Sequence, residues 1–288
     1  MLLECAAVSG SARNFSDCDR MAANGCETNT QTDDICRRIA QDHPKLKAVR
    51  FASGGGTAQD LGPNITWTTK TDDLPTGPYV VVSTAAKWSL TRIDVPFDIL
   101  FVDEAWQLAW KDFMPLGRIA GRFVLIGDPG QIPPVVPVDI RRWATAPLAP
   151  HESTPNVIAA NPMPDVCHLT LPATRRLPHD SAALVQSFYD FSFGSYAGPG
   201  ERAVHADAGG TSALDKALRR LAEQSAIMLT LPTPDSGPPL EQDEELAKAT
   251  IKVVQALLDA KPKWHINGTT HILMPEDIGI TATHRVMN

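Results

Sequence analysis

The stretch that decides the fold is FDILFVDEAWQLAWKDFMPLGRIAGRFVLIGDPGQIPPV, residues 97–135, which holds two short apolar runs that each end in acidic residues. Residues 99–102 lead into Asp103, and residues 123–126 lead into a Gly-Asp pair. Runs of four aliphatic or aromatic residues between turn-forming residues are typical of strands buried on both faces of a parallel sheet. The stretch therefore predicts an α/β domain.

Carboxylates follow the first of these strands directly. Open α/β sheets bind ligands at the carboxyl ends of their strands. In a nucleotide site, one carboxylate of the Asp103-Glu104 pair would hold Mg²⁺ through its water shell, and the neighbouring one would polarise the attacking water. The pair could instead simply cap the following helix. A glutamine follows each acidic turn, Gln107 after the first and Gln131 after the second, and these glutamines favour the nucleotide interpretation.

These residues resemble two ordered motifs of superfamily 1 helicases. Asp103-Glu104-Ala105-Trp106-Gln107 is similar to the DEAxQ Walker B signature, and residues 127–134, GDPGQIPP, are similar to the following GDxxQLPP motif. The most similar branch is superfamily 1B, typified by the nonsense-mediated-decay helicase and related DNA-repair helicases. A DE pair after a strand is common, whereas the two motifs in this order and at this distance are specific.

The resemblance extends over most of the chain, from about residue 27 to its end. Four further segments resemble family motifs: TNTQTDD at 28–34, VVVSTA at 80–85, LPATRRLP at 171–178 and DIGITATHR at 277–285. The third departs from the family pattern, because Arg175 stands where an aromatic residue usually stacks on the base. In the fourth, His284 replaces the usual tyrosine.

The resemblance implies roles for single residues and the ligands ATP and Mg²⁺. It implies Glu104, Gln131 and Arg176 as catalytic residues, with Arg176 at the γ-phosphate, and Asp103, Gln107 and Asp128 as nucleotide-binding residues, with Asp103 at the metal. It implies contacts with single-stranded DNA or RNA by Thr28, Asn29, Ser83, Thr84 and Arg285. Plainer roles stay open: Arg176 could pair with Asp180 at the surface, and Ser83 and Thr84 could be ordinary strand-end hydroxyls.

The expected architecture is a RecA-like parallel sheet flanked by helices, the P-loop NTPase fold, followed by the start of a second RecA-like domain. The first domain is expected over residues 1–200, with an irregular insertion at about 52–78, and the partial second domain over 201–288. Helical periodicity at 212–221 and 241–260 and an apolar run at 226–231 support the second domain. Strands are also expected at 169–171 and 278–280, and a helix at 184–193.

The sequence contains no G-x-x-x-x-G-K-S/T phosphate-binding loop, and family motifs V and VI are expected beyond residue 285. The chain is therefore interpreted as the middle of a helicase. Two functions remain: an incomplete segment of an ATP-dependent helicase or translocase, or a catalytically inactive helicase-like remnant that serves as a binding or interaction module.

Composition indicates a cytoplasmic α/β protein. The net charge of −7 disfavours a chain coated with basic nucleic-acid contacts, although a narrow local channel remains possible. No apolar run reaches the roughly 20 residues of a membrane span. The five cysteines form no C-x-x-C pair, so reduced thiols are favoured over a zinc site.

The first prediction concerns nucleotide affinity. The purified 288-residue chain should bind ATP weakly or not at all, because a P-loop supplies the backbone cradle and the lysine that hold the phosphates. Calorimetry with Mg²⁺-ATP tests this. Micromolar affinity together with DNA-stimulated phosphate release would contradict it.

Overall fold

The structure is a computed structural model that describes residues 20–24, 28–54, 59–75, 78–143, 145–232, 243–266 and 268–281, with the backbone alone at 20–24. The chain divides into two compact units, Met1–Cys167 and His168–Asn288. The boundary that we expect at residue 200 falls inside the second unit, so the division into two RecA-like domains stays a prediction.

The described part of the first unit consists of six strands, four helices and short 3₁₀ turns. Its strands are β1 (Arg20–Asn24), β2 (Ala48–Phe51), β3 (Ile65–Thr68), β4 (Tyr79–Ser83), β5 (Ile99–Val102) and β6 (Phe123–Leu125). Its helices are α1 (Asn29–Asp42), α2 (Ala85–Ser89), α3 (Trp110–Phe113) and α4 (Thr154–Ala160), with 3₁₀ turns at Thr71–Asp73, Ala105–Gln107, Met114–Arg118 and Arg141–Trp143.

The six strands form one parallel sheet in the order β3-β2-β4-β1-β5-β6. Every residue of β4 and β5 is buried, as expected for strands covered on both faces. β5 and β6 are parallel neighbours, with Val102 opposite Leu125. This arrangement confirms the predicted class, a mixed α/β fold with a parallel sheet flanked by helices.

Alternation along the strands divides the core between the two faces of the sheet. Val81 packs in a large cluster around the fully buried Trp88 of α2, whose indole lies 5.4 Å from the ring of Phe51 and 5.5 Å from that of Phe97. Val80 and Val82 pack in a separate cluster with Ile35 and Cys36 of α1. Apolar burial on both faces thus fixes which strand residues point towards α1 and which towards α2.

The described part of the segment 52–78, which we expected to be irregular, contains more regular structure than predicted. It contains β3, which pairs with β2 from Ala48↔Ile65 to Phe51↔Thr68 and forms one edge of the sheet. Thr68 donates a hydrogen bond to Asp73 at 2.7 Å, and Lys87 donates one to the Thr69 carbonyl at 3.1 Å. Backbone pairing and these contacts order a stretch that has little apolar periodicity.

The described part of the second unit combines short strands with helices. Its strands are β7 (Ala173–Thr174), β8 (Gly194–Ser195), β9 (Arg202–His205), β10 (Lys263–Ile266) and β11 (Thr269–Ile272). Its helices are α5 (His179–Val185), α6 (Ala213–Arg220) and α7 (Glu244–Asp259), with 3₁₀ turns at Gln186–Phe188 and Pro275–Asp277. β9, β10 and β11 form an antiparallel sheet, and β7 pairs with β8. No described helix of the chain has both the length and the apolar character needed to cross a membrane.

The helices expected at 212–221 and 241–260 are confirmed by α6 and α7. α6 begins with a capping box between Ser212 and Asp215, and Asp243 caps α7 by accepting from the backbone N–H of Leu246 at 2.8 Å. These sequence signals are local, which explains why they predict the helices well.

The strands expected at 169–171, 226–231 and 278–280 do not form, and the helix expected at 184–193 ends near residue 188. An apolar run becomes a strand only when a neighbouring chain accepts and donates its backbone hydrogen bonds. Met228 is 88% exposed and Ile280 is 58% exposed, so these runs do not enter a core. The second unit thus has antiparallel pairing where we expected the first parallel strands of a RecA-like domain.

A buried ion pair joins α1 to β2. Arg50 is only 3% exposed, and its Nε donates to Oδ1 of Asp33 at 2.6 Å. The other guanidinium nitrogens donate to Oδ1 of Asn29 at 2.9 Å and to the Phe51 carbonyl at 3.0 Å. A buried arginine needs such partners because transfer of its charge out of water is costly.

The second prediction compares two adjacent aspartates of α1. Asp33→Ala leaves Arg50 without its carboxylate, and should lower the free energy of unfolding by roughly 3–5 kcal/mol. Asp34→Ala removes only an exposed pair with Arg38, N···O 2.8 Å, and should cost under about 1 kcal/mol. Urea denaturation of both variants measures the difference. Equal losses would show that the Arg50 pair has no special role in stability.

Candidate functional site

Parallel pairing brings the chemically interesting residues of the first unit to one edge of the sheet. Because all six strands run in the same direction, their carboxyl ends share an edge. Four groups of sequence-predicted residues follow these strand ends: Thr28 and Asn29 after β1, Ser83 and Thr84 at the end of β4, Asp103 and Glu104 after β5, and Asp128 and Gln131 after β6. In the strand order, β5 and β6 with their acidic turns lie on one side of β1, and β4 with Ser83 and Thr84 lies on the other.

Hydrogen bonds continue from β5 to β6 beyond the strands themselves. The backbone N–H of Ile126 donates to the Val102 carbonyl at 2.8 Å, and that of Ala105 donates to the Ile126 carbonyl at 2.8 Å. Gly127 follows this ladder and lies against the turn after β5: a Cβ there would stand 2.9 Å from Cε3 of Trp106 and 3.0 Å from the Ala105 nitrogen. Glycine at 127 therefore permits a contact between the two motifs that a side chain would push apart.

Glu104 has an unusual backbone conformation. Its φ of 52° and ψ of 39° lie in the left-handed region, which costs a residue with a Cβ energy unless the surroundings hold it. The surroundings are the hydrogen bonds on either side: Gln107 N–H donates to the Glu104 carbonyl at 2.9 Å, and Ala105 is tied to β6. The sharp turn after β5 holds the Glu104 backbone in one conformation, with the side chain partly buried.

Asp103 is partly buried at the end of β5. Burial raises the pKa of its carboxyl, and the hydrogen bond that Oδ1 accepts from the Glu104 N–H at 3.2 Å and the charge of Arg38 oppose that rise. A carboxylate that loses hydration in this way is one whose charge a bound cation would compensate. The chemistry of this site thus fits a hard cation such as Mg²⁺.

The loop after β6 is organised by Asp128. Its Oδ1 accepts from the Gly130 N–H at 2.8 Å, and its carbonyl accepts from the Gln131 N–H at 3.0 Å. The Gln131 side-chain oxygen accepts from the Ile132 N–H at 3.0 Å. Asp128 therefore shapes the turn that carries Gln131, while Gln107 lies partly buried on the 3₁₀ turn after β5.

The residues expected to contact nucleic acid differ in accessibility. Thr28 and Thr84 cap α1 and α2, with each hydroxyl oxygen accepting a backbone hydrogen bond of the first helical turn. Thr28 is exposed, whereas Thr84 is buried. Asn29 is exposed, and its Oδ1 accepts from Arg50. Ser83 is fully buried and its hydroxyl donates to the Phe51 carbonyl at 2.7 Å, which fits the plainer interpretation of a strand-end hydroxyl.

Two predicted residues are not part of the described first unit. Arg176 is exposed in the second unit, in a turn where Thr174 Oγ1 accepts from the N–H groups of Arg176 and Leu177. Asp180, its alternative partner, instead accepts from the Ser225 N–H at 2.7 Å and hydroxyl at 2.8 Å. Arg285 lies outside the described residues. The convergence of Arg176 with Asp103 stays a prediction.

Arg50 and Lys87 also lie at this edge of the sheet, although they were not among the site residues predicted from the sequence. Arg50 connects Asn29 to Phe51, whose carbonyl also accepts from Ser83. The Lys87 ammonium lies 4.2 Å from the centroid of the Phe51 ring, and burial lowers its pKa. An arginine inside the apolar run AVRF was the one available signal, because a lone charge in a buried strand implies a buried partner.

The third prediction follows from the raised pKa of Asp103. The folded chain keeps this proton to higher pH than the unfolded chain, so stability is lost as the pH rises through the folded pKa. Asp103→Asn removes the loss and should be more stable than wild type at neutral pH, with the gain vanishing as the pH falls below the ordinary aspartate value of 3.8. Urea denaturation across a pH series measures this, with the exposed Asp128→Asn as the matched control. A gain that does not depend on pH would assign the effect to packing.

Comparison with known proteins points to the same segment. Residues 76–137 match a family model described as an AAA domain. The matched segment contains β4, β5, β6 and the loop that carries Gln131. A search of the curated proteins finds no match to the chain. The match covers about a fifth of the chain; over these residues it supports a likeness to a helicase-like P-loop NTPase domain and suggests a helicase- or ATPase-type function that involves nucleotide binding.

Proposed function

We propose that this chain is a segment of an ATP-dependent superfamily 1B helicase or translocase, which couples ATP hydrolysis to movement on single-stranded DNA or RNA. One observation carries the proposal: the β5 and β6 ends are parallel neighbours joined by backbone hydrogen bonds, so that Asp103, Glu104 and the Asp128–Gln131 loop follow adjacent strands at one edge. A chance pair of acidic turns would have no reason to be neighbours at the same sheet edge.

In this proposal, Asp103 and Glu104 have separate tasks. Mg²⁺, when bound with ATP, would supply positive charge at the β- and γ-phosphates. Asp103 would hold the water shell of the ion, and its burial makes its charge responsive to a cation. Glu104 would accept a proton from the attacking water, and its left-handed backbone would fix the direction from which the carboxylate approaches. The phosphate cradle itself would come from sequence that these residues do not include.

Further polar residues would contact the bound nucleotide. Gln131 would contact the γ-phosphate and link it to the nucleic-acid groove, and Gln107 and Asp128 would complete the nucleotide contacts. Arg176 would be the arginine that contacts the γ-phosphate. The Asp128 hydrogen bonds support this proposal because they hold Gln131 at a defined place in the loop.

Single-stranded DNA or RNA is the proposed partner, with the phosphate backbone contacted near Thr28, Asn29, Ser83 and Thr84 and by Arg285. The first turn of α1 supports backbone contact, since its N-terminal amide groups and positive dipole end favour phosphate. Ser83, which is buried, would act by positioning Phe51 and the strand end.

The competing function is an inactive helicase-like remnant that keeps the fold as a binding module. The absence of a G-x-x-x-x-G-K-S/T sequence in these 288 residues favours it. Translation of the flanking genomic sequence in all frames separates the two. A G-x-G-K-T loop upstream together with an R-x-x-V-A-x-S/T-R segment downstream would support the enzyme, and their absence would support the remnant.

The fourth prediction tests the proposed chemistry in a protein that joins this segment to a P-loop sequence. Glu104→Gln should abolish ATP turnover and leave ATP affinity nearly unchanged, because the amide keeps the shape of the side chain but cannot accept a proton. Steady-state phosphate release measures kcat, and calorimetry measures nucleotide affinity.

Glu152→Gln is the matched control, since it makes the same chemical change at a half-exposed side chain of the same unit, and it should turn over like wild type. Unchanged turnover in the Glu104 variant would remove Glu104 from the mechanism.

A further inference from the structure

A cavity of about 550 Å³ opens at the antiparallel sheet of the second unit. It is lined by Tyr196, Gly200, Glu201, His205, His265 and Gly268. Its volume lies in the range of small-molecule sites, which is about 300–1,000 Å³. Three of the lining side chains are aromatic rings, and none of these residues has a role in the function proposed above.

Tyr196 presents a ring that is available for stacking. The residue is 67% exposed, and its backbone N–H donates to the Thr174 carbonyl at 2.9 Å. The guanidinium of Arg175 lies 4.7 Å from the centroid of the ring. The ring is thus held in place and lies beside a positive charge, which suits contact with a planar ligand that carries phosphate.

The two histidines form an ordered pair beside it. The rings of His205 and His265 meet edge to face with centroids 4.5 Å apart. The pairing of β9 with β10 explains the contact. His205 lies opposite Lys263, and His265 lies on the same face as Lys263 because side chains two residues apart in a strand share a face. The His265 ring is further fixed by a 2.8 Å hydrogen bond between its Nδ1 and the hydroxyl of Thr270.

Glycines and one carboxylate complete the cavity. Gly200 and Gly268 have φ of +77° and +80°, and a Cβ added at either would meet no described atom within 4 Å, so the space beside them is open. The Glu201 carboxylate is oriented by accepting from the Gly198 N–H at 2.9 Å. It places a hydrogen-bond acceptor at the edge of an aromatic cavity.

We propose that this cavity binds a nucleobase of single-stranded nucleic acid. A flat heteroaromatic ring would stack against Tyr196 or the histidine pair, and Glu201 would accept hydrogen bonds from ring N–H or amino groups at the edge of the base. Arg175 and Lys263 supply positive charge for the adjoining phosphates. This inference rests on the proposed function for the choice of ligand, and it places a base contact at Tyr196 and the histidine pair, which lie outside the motif-like segment at 171–178.

A metal ion is a poorer match to the same side chains. The described residues contain no group of three or more His, Cys, Asp or Glu side chains arranged to hold one. Edge-to-face packing also directs the two imidazoles at each other, whereas metal ligands point their nitrogens at a shared centre.

The test is binding of a short fluorescein-labelled single-stranded oligonucleotide to the 288-residue chain, measured by anisotropy at low salt. Tyr196→Ala should weaken binding by roughly tenfold, because loss of one stacked base has an effect of that order. Tyr196→Phe should bind like wild type. Phe188→Ala removes an aromatic ring that is 77% exposed in the same unit but does not line the cavity, and it should have no effect.

A second measurement locates the contact directly. An oligonucleotide that carries 5-iodouracil should crosslink on irradiation to Tyr196, His205 or His265, and mass spectrometry of the peptides identifies the site. His265→Ala should reduce this crosslink, while circular dichroism confirms that the variant stays folded.

The outcomes separate this inference from the proposed function. Binding that Tyr196→Ala leaves unchanged would overturn the cavity as a base site and leave the nucleic-acid partner intact. Tyr196-dependent binding of mononucleotides without oligonucleotide binding would keep the nucleobase chemistry and overturn the nucleic acid as its source. Binding of neither probe would overturn the inference, while turnover of the Glu104 variant would still decide the proposed function.

Discussion

The candidate site depends on the two backbone hydrogen bonds that extend the β5–β6 pairing past the end of the strands. Ile126 N–H to the Val102 carbonyl and Ala105 N–H to the Ile126 carbonyl, each 2.8 Å, tie the acidic turn to the glycine turn. They also hold Glu104 in a left-handed backbone conformation that is unfavourable for a residue with a side chain. Without this ladder, Asp103, Glu104 and Gln131 would lie on two independent loops, and their approach would have to be paid for in entropy.

The buried guanidinium of Arg50 has a comparable role on the other side of β1. It binds Asn29 and Asp33 of α1 and the carbonyl of Phe51, to which Ser83 also donates. The start of α1 and the ends of β2 and β4 are therefore one hydrogen-bonded network. Two segments that the sequence indicates as separate motifs, at 28–34 and 80–85, are thus joined by hydrogen bonds through Arg50 and the Phe51 carbonyl.

Local and pairwise signals were enough to predict much of the first unit. The apolar runs before Asp103 and Gly127 correctly indicated adjacent parallel strands. The expected burial on both faces holds for β5, whereas β6, the last strand in the order, is only partly buried. The same reasoning failed at 226–231, since an apolar run shows a preference for burial but does not show whether a partner strand exists. The opposite error occurred at β3, a strand that the sequence did not predict. Pairing with β2 orders this strand, and its own composition gives little signal. The Glu104 backbone depends on tertiary contacts that no local pattern indicates. For the Arg50 network, the arginine within AVRF signals a buried partner but does not identify it.

The position of β1 in the sheet has a consequence for how this protein forms. β1 comes first among the described strands, yet it is central, with β4 and β5 as its neighbours. Both neighbours lie far along the chain, so the centre of the sheet closes only after the ribosome has released residues up to 102. Contacts of such high sequence separation slow folding and leave apolar strands exposed in the meantime. The strand that joins the two halves of the sheet is thus formed early in synthesis but pairs only after β4 and β5 have been made.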